Sequence, residues 1–285
     1  MIIWIASYPK SGNTWVRAFI NKFFLKEKFD LNFLGNVVPQ FPKKTQYEGL
    51  IDDYQDLDLI LNNSIQSQKK LIEHKKIKFL KTHSIFYKLQ NGRLFSDKTC
   101  TLGAIYLVRD PRNVFLSLQN HSDWDQKEME KIFFSETRWV GQKFDNKDNK
   151  DNKDYALKTL IGNWQINLNS WRSAVRNLLI LKYEDLIENP FLEFSKIIKY
   201  LNKFINLEVK DNELKKIIQE INFDNLKNIE NEKGFIESMT DKNNNKINFF
   251  SKGPKRNWVE EISPEINKKI ENKFFKEMRE FGYIQ

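Results

Sequence analysis

The stretch that decides the fold is Ile2-Ile3-Trp4-Ile5-Ala6-Ser7-Tyr8-Pro9-Lys10-Ser11-Gly12-Asn13-Thr14-Trp15. The run from Ile2 to Ala6 is too short for a helix and apolar on both faces, which is typical of a strand buried in a parallel sheet. Pro9 ends this strand, and Gly12 allows a tight turn before a helical pattern begins at Val16. A strand, a tight turn and a helix N-terminus bring unpaired N–H donors and a positive dipole end together, so the stretch predicts an anion-binding loop.

The order of residues in this loop differs from that of the nucleotide-binding P-loop. That motif reads Gly-x-x-x-x-Gly-Lys-Ser/Thr, whereas here Lys10 precedes Gly12. The loop keeps a cation in Lys10, a hydroxyl donor in Thr14 and a flat ring in Trp15 on which a base could stack. A surface turn without a ligand is the alternative, and this segment alone does not decide between the two.

The composition sets outer bounds on the class of protein. A chain of 285 residues and 34.2 kDa predicts one large α/β domain over 1–285, with or without an added cap. A net charge of +9 favours an anionic ligand or surface without choosing among nucleotide, acidic acceptor, lipid and nucleic acid. The single cysteine, Cys100, excludes an intrachain disulfide, and a cytoplasmic location is predicted. The first apolar run stops at Tyr8-Pro9, so we expect neither a secretory signal nor a membrane span.

Three further apolar runs predict parallel strands that end in polar residues. Ile77 to Leu80 leads into Lys81-Thr82-His83, Thr101 to Val108 leads into Arg109, and Leu178 to Leu181 leads into Lys182-Tyr183-Glu184. Ligands of open α/β sheets bind beyond the carboxyl ends of the strands, so these residues are candidates for a site. Taken alone, a histidine at a strand end is more often structural, and an ion pair with Asp110 explains Arg109 equally well.

Polar segments and a tryptophan pattern complete the chain. The repeats of Asp-Asn-Lys near 144–155 and the Asn- and Lys-rich run over 234–250 predict mobile segments. Tyr155 to Val175 carries Trp164 and Trp171 at spacings that predict a helix with both rings in the core. Ser263-Pro264 predicts the start of the last helix. No His/Cys cluster with ligand spacing is present, so no metal site is expected.

The loop Tyr8-Pro9-Lys10-Ser11-Gly12-Asn13-Thr14-Trp15 resembles the 5′-phosphosulfate-binding loop of the cytosolic-type sulfotransferases, usually Tyr-Pro-Lys-Ser-Gly-Thr-Thr-Trp. The resemblance continues in family order through Lys-Thr-His at His83, Arg-Asp-Pro-Arg-Asn-Val-Phe-Leu-Ser from Arg109, Tyr-Glu-Asp at Tyr183 and the loop at Lys252. It implies an α/β fold with a doubly wound, mainly parallel sheet flanked by helices, like that of the P-loop nucleotide kinases. It also implies transfer of a sulfuryl group from 3′-phosphoadenosine 5′-phosphosulfate to a hydroxyl or amine, with no metal required.

The resemblance implies a role for each matching residue. His83 would act as the general base, while Lys10 and Lys81 stabilise charge on the transferring group and the bridging oxygen. The residues implied in binding the donor, and its product adenosine 3′,5′-bisphosphate, are Lys10, Ser11, Gly12, Asn13, Thr14, Trp15, Arg109, Ser117, Tyr183, Phe223, Lys252 and Gly253. The acceptor is a small molecule, lipid or carbohydrate; its identity, O- versus N-sulfation and the oligomeric state stay open.

The chain departs from this family in its last motif. Ser251-Lys252-Gly253-Pro254-Lys255-Arg256-Asn257-Trp258 resembles Arg-Lys-Gly-x-x-Gly-Asp-Trp, so Ser251 stands where the family has an arginine for the 3′-phosphate. Our hypothesis is that Arg256, or else Lys255, partly compensates.

Two other functions remain open at this stage. A kinase-like nucleotide-binding enzyme is the nearest rival, although its Walker A order is missing. A basic nucleic-acid-binding module without catalysis would explain the charge of +9 without requiring Lys10, His83 and Arg109 to converge.

Overall fold

The computed structural model describes residues 1–26, 29–73, 76–122, 124–141, 154–241, 243–255 and 257–285. The chain divides into two compact units. The first comprises Met1–Tyr8, Val37–Tyr106 and Ser135–Leu179, and the second comprises Pro9–Asn36, Leu107–Phe134 and Ile180–Gln285. A single domain over 1–285 stays a prediction.

Strands and helices alternate along the chain. The strands are β1 (Ile2–Ser7), β2 (Lys78–Thr82), β3 (Thr101–Val108), β4 (Trp139–Val140), β5 (Thr159–Leu160), β6 (Leu178–Lys182), β7 (Met239–Thr240) and β8 (Lys246–Ile247). The α-helices are α1 (Asn13–Leu25), α2 (Lys44–Tyr47), α3 (Leu57–Asn62), α4 (Ser64–Ile72), α5 (Pro111–Ser122), α6 (Gln126–Phe134), α7 (Trp164–Ala174), α8 (Tyr183–Glu188), α9 (Pro190–Leu201), α10 (Asp211–Glu220), α11 (Phe223–Lys233), α12 (Trp258–Glu261) and α13 (Pro264–Glu280). Short 3₁₀ helices cover Leu31–Asn36 and Gly253–Lys255.

Four strands form the central parallel sheet, in the order β2-β1-β3-β6, with helices flanking it. β1 and β2 pair in parallel, with Ile5 opposite Lys81 and Ala6 opposite Thr82. Every residue of β1 is buried, which explains why this strand is apolar on both faces. The predicted fold class is confirmed.

Aromatic rings fill the core of the first unit around Trp4. Its ring centroid lies 5.4 Å from that of Phe41, 4.9 Å from Phe95 and 6.1 Å from Trp171. The indole N–H donates to Oγ1 of Thr101 over 2.9 Å, so the polar edge of the buried ring is satisfied.

The helix that carries Trp164 and Trp171 begins later than the sequence pattern predicted. Residues 159–160 form β5, which pairs with β4, and α7 starts only at Trp164. The start is fixed by Asn163, whose side chain accepts a hydrogen bond from the N–H of Ile166 and so caps the helix. Both tryptophans are buried, as predicted.

The outcome differs between the two segments predicted to be mobile. Residues 144–153 lie outside the part of the chain that the structure describes, and the segment over 234–250 contains the antiparallel pair of β7 and β8. The mobility of both stays a prediction.

The last helix begins as expected, since Ser263 accepts from the N–H of Ile266 and Pro264 is the first helical residue. Within the described residues, no helix has the length and apolarity needed to cross a membrane.

Candidate active site

The turn between β1 and α1 requires glycine at position 12. Gly12 caps α1 with a φ of +98°, in the left-handed region that residues with a side chain rarely adopt. A Cβ added there would lie 2.5 Å from Cδ2 of the Tyr183 ring. Gly12 therefore permits both the backbone turn and the close approach of this ring to the loop.

Lys10 also has left-handed backbone geometry, with a φ of +64°. A lysine in this region is strained, and such strain persists only where the surroundings hold the residue in place. The Lys10 carbonyl accepts a hydrogen bond of 3.1 Å from Nη1 of Arg109, and the Lys10 ammonium lies 3.8 Å from the centroid of the Phe249 ring. Both the backbone and the side chain of Lys10 are thus fixed by other residues of the second unit.

The same loop contains buried polar atoms without a hydrogen-bond partner in the described chain. Among them are Oγ of Ser11, a fully buried residue, and Nε1 of Trp15. Buried polar groups are normally paired, so unpaired donors mark a place where a ligand fits. Asn13 and Thr14, which begin α1, are buried beside them and contribute N–H groups of the first helical turn. The loop accordingly suits an anionic group.

Arg109 follows β3 and connects three segments of the second unit. Its Nη1 donates to the Lys10 carbonyl, its Nη2 donates to the carbonyl of Gly253 over 3.2 Å, and its guanidinium lies 4.3 Å from the Tyr183 ring centroid. Asp110, the partner in the alternative ion-pair interpretation, is bound by Arg112 over 2.7 Å. Arg109 is therefore directed at the segments predicted to bind the donor, where a guanidinium would suit phosphate by its geometry.

Gly253, whose carbonyl accepts from Arg109, lies against the ring of Phe223. A Cβ on Gly253 would lie 1.9 Å from Cε2 of Phe223, so only glycine allows this ring against the loop. Ser117 lies in α5 and is half-buried. Lys252 forms an ion pair of 2.9 Å with Glu261, and its side chain is 53% exposed.

Burial raises the pKa of the Tyr183 phenol, and the charge of Arg109 opposes this shift. Tyr183 is therefore a neutral phenol at physiological pH. Its ring supports both Gly12 and Arg109. The residues predicted to bind the donor all belong to the second unit, whereas His83 and Lys81 belong to the first.

His83 follows β2, and its ring is oriented by the end of β1. Nδ1 lies 2.8 Å from the Ser7 carbonyl oxygen and 3.3 Å from Ser7 Oγ. A carbonyl only accepts, so Nδ1 carries the proton of the neutral ring and Nε2 is the atom able to take up a proton. This tautomer is the one that a general base needs.

Asn167, which the sequence analysis missed, fixes the backbone of His83. Its Nδ2 donates to the carbonyls of His83 (2.8 Å) and Ile161 (2.9 Å), while its Oδ1 accepts from the Tyr106 hydroxyl (2.8 Å). Asn167 is fully buried, and burial raises the pKa of Tyr106 well above its usual value, so the hydroxyl stays a donor. The available signal was an asparagine on the same helix face as the buried Trp164 and Trp171.

Lys81 is buried within β2 and is held on both sides of its peptide. Its N–H donates to the Pro39 carbonyl and its carbonyl accepts from the Phe41 N–H, each over 2.8 Å. Lys81 and His83 therefore lie two positions apart at one strand end, as predicted. Among the residues that the structure describes, no group of three or more His, Cys, Asp or Glu side chains could hold a metal ion.

Comparison with known proteins decides the family. The sulfotransferase domain matches residues 2–282. The chain belongs to the sulfotransferase family. The cytosolic sulfotransferase 16 of Arabidopsis thaliana is 23% identical, with 99% of this chain and 77% of that protein covered. The flavonol 4′-sulfotransferase of Flaveria chlorifolia is 22% identical, with 99% and 80% covered.

A solved structure shares the fold of this sulfotransferase. The crystal structure of a mouse sulfotransferase complexed with PAP superposes with a TM-score of 0.58 at 19% identity, covering 97% of this chain and 84% of that one. The predicted family and the predicted enzyme class are both confirmed. The kinase-like and nucleic-acid-binding alternatives receive no support from these comparisons.

In this sulfotransferase, Glu230 holds the segment that covers Lys10. Its carboxylate accepts from the N–H groups of Phe249 (2.7 Å) and Phe250 (2.8 Å) and from the hydroxyl of Ser238 (2.5 Å). Glu230 is fully buried in α11, so Phe249 is fixed against the Lys10 ammonium. Sequence reasoning missed this contact because the segment was identified only as polar.

Arg256 and the side chain of Lys255 lie outside the described residues. The hypothesis that either residue compensates for the arginine missing at Ser251 therefore stays a prediction.

Proposed function

We propose that this sulfotransferase moves a sulfuryl group from 3′-phosphoadenosine 5′-phosphosulfate to a hydroxyl or amine acceptor, with His83 as the general base. The observation that carries the proposal is the loop from Lys10 to Trp15. Lys10 is held there in a strained conformation by Arg109, and the buried hydroxyl of Ser11 has no partner in the described chain. A tight loop that leads into a helix N-terminus and carries a lysine and a buried hydroxyl is suited to bind an anionic group.

The donor-binding roles follow from the position of each residue. The hydroxyl of Ser11, the indole N–H of Trp15 and the N–H groups of Asn13 and Thr14 would bind the phosphosulfate oxygens at the turn shaped by Gly12. The 3′-phosphate is assigned to Arg109, Ser117, Lys252 and the backbone of Gly253. Tyr183 and Phe223 would pack against the nucleoside. When bound, the donor supplies an activated sulfuryl group on a phosphate leaving group.

The chemical step assigned to the chain is proton removal and charge stabilisation. Nε2 of His83 accepts the proton of the acceptor while the new bond to sulfur forms and the bond to the phosphate oxygen breaks. The leaving adenosine 3′,5′-bisphosphate gains negative charge, which the ammonium groups of Lys10 and Lys81 would stabilise. These roles involve no metal ion, and we propose that the enzyme does not require one.

The acceptor is proposed only by class. The relative named flavonol 4′-sulfotransferase supports a small molecule that carries a hydroxyl, and lipids, carbohydrates and amines remain acceptors to be tested. A cytosolic location is proposed because the relative from Arabidopsis thaliana is named a cytosolic sulfotransferase. Nucleic acid is not proposed as a partner.

The test is a transfer assay with labelled donor and a panel of phenols, flavonoids, sterols, sugars and amines. Wild type should label at least one acceptor in the presence of a metal chelator, and His83→Ala should not. Equal labelling by the two proteins would remove His83 as the base. Failure of wild type to bind adenosine 3′,5′-bisphosphate would overturn the proposed donor.

A further inference from the structure

A basic pocket of about 510 Å³ lies in the second unit. Its polar lining includes Asn120, Lys227, Lys246, Ser251 and Lys252, and Phe250 contributes an apolar wall. Three of the described lining residues are lysines, and none of the described ones is acidic. Such a lining favours an anionic group.

The lining residues adjoin the residues assigned to the 3′-phosphate and the nucleoside. Asn120 lies three positions after Ser117 in α5, and Lys227 lies four positions after Phe223 in α11, so each pair shares one helix face. Lys252 directly precedes Gly253, whose carbonyl accepts from Arg109. The pocket is therefore continuous with the donor-binding residues on all three of these segments.

The three lysines differ in the charge they can offer. Lys252 is already paired with Glu261 at 2.9 Å. Lys246 is exposed in β8, at the edge of the pocket. Lys227 is half-buried, and its Nζ lies 3.5 Å from the carbonyl oxygen of Ser251. Within the described chain, no carboxylate forms an ion pair with Lys227.

We infer that Lys227 supplies the cation that Ser251 cannot, and that its ammonium binds the 3′-phosphate of the donor together with Arg109. This inference rests on the proposed function. The contact with the Ser251 carbonyl places the ammonium beside the position where the family resemblance implies an arginine. An ammonium binds phosphate as a point charge with three donors, so it replaces the charge of a guanidinium without its fork geometry.

The experiment compares two ligands that differ only in the 3′-phosphate. Adenosine 3′,5′-bisphosphate and adenosine 5′-phosphate are titrated by calorimetry against wild type, Lys227→Gln, Lys227→Arg and Lys199→Gln. Lys199 is an exposed lysine of α9, outside the pocket, so its variant controls for the loss of one positive charge. Thermal melting of each variant checks that it is folded.

Lys227→Gln should weaken binding of the 3′-phosphorylated ligand about tenfold or more and leave adenosine 5′-phosphate within twofold. Lys199→Gln should bind both ligands like wild type, and Lys227→Arg, which keeps the charge, should retain the preference for the 3′-phosphorylated ligand. Adding Ser251→Arg to Lys227→Gln should restore the lost affinity, because it returns a cation to the same subsite. Together these results would support the inference.

Other outcomes would contradict the assignment of Lys227 to the 3′-phosphate, each in a distinct way. Equal losses for both ligands, or no loss, would remove Lys227 from the 3′-phosphate subsite. A selective loss in Arg256→Ala without one in Lys227→Gln would assign compensation to Arg256 instead. If wild type itself does not prefer the 3′-phosphorylated ligand, the proposed donor fails, and the inference fails with it.

Discussion

The surroundings of His83 and the pocket around Lys227 hold their functional groups in different ways. The ring of His83 is fixed by the Ser7 carbonyl and its backbone by the fully buried Asn167, through contacts of 2.8 Å. Lys227 is half-buried and makes one long contact of 3.5 Å. A general base acts only in one orientation, whereas a phosphate-binding cation acts through its charge. Substitutions around His83 should therefore change the rate of transfer, and those around Lys227 should change affinity.

The largest effect is expected at His83 itself. His83→Ala should lower the transfer rate about 10²- to 10⁴-fold, because the variant loses the proposed general base. Affinity for adenosine 3′,5′-bisphosphate should stay within a few-fold of wild type, since the base acts on the acceptor. Single-turnover transfer and calorimetric titration measure the two quantities separately. Transfer within a few-fold of wild type would return His83 to a structural role.

Substitution of Lys10 should change both the rate of transfer and the affinity for the donor. Lys10→Ala removes a cation proposed to contact the phosphosulfate, so donor affinity and turnover should each fall, by about tenfold or more. The measurement is the dissociation constant of the donor together with the single-turnover rate. Lys199→Ala, at an exposed position of α9, is the control for the loss of one lysine. If neither quantity changes in Lys10→Ala, the lysine does not belong to the site.

Asn167→Ala tests whether Asn167 positions His83 for proton transfer. The variant loses the bonds to the carbonyls of His83 and Ile161 and removes the acceptor of the buried Tyr106 hydroxyl. We expect a loss of about 1–3 kcal/mol in the free energy of unfolding and a lower kcat, with donor affinity unchanged. Denaturant unfolding, kinetics and titration measure these three quantities.

The control for Asn167→Ala is Ser173→Ala, at an exposed position of the same helix. A stability loss with an unchanged kcat would show that Asn167 supports the fold without positioning His83. Tyr106→Phe in the Asn167→Ala background should recover part of the stability, because it removes the hydroxyl that has lost its acceptor.

The strand ends could be predicted from the sequence, but the contacts that orient their residues could not. An apolar run followed by Lys-Thr-His or Arg-Asp-Pro is a local pattern. β3 ends at Val108, where the pattern placed it, whereas β2 continues through Lys81 and Thr82. The contact of Asn167 with His83 joins residues 84 positions apart, and that of Lys227 with Ser251 joins residues 24 apart. No local spacing encodes such pairs. The late start of α7 was missed for a different reason, since the helical period of Tyr155 to Val175 continued through residues that pair as β5.

The smallest effect is expected at Glu184, a half-buried carboxylate that two hydrogen-bond donors orient. Burial raises its pKa, although the Asp110 N–H (3.1 Å) and the Tyr283 hydroxyl (3.0 Å) both donate to it and hold it in place. A carboxyl whose pKa is higher in the folded than in the unfolded state stabilises the fold below the unfolded pKa, and this stabilisation is lost as pH rises through the folded pKa. Glu184→Gln removes the titration, so its melting temperature relative to wild type should increase from pH 4 to pH 7. Glu188→Gln, at the exposed end of the same helix, controls for the loss of one carboxylate. Parallel curves for Glu184→Gln and wild type would mean that the hydrogen bonds compensate fully for burial, and that Glu184 contributes to this strand end through orientation alone.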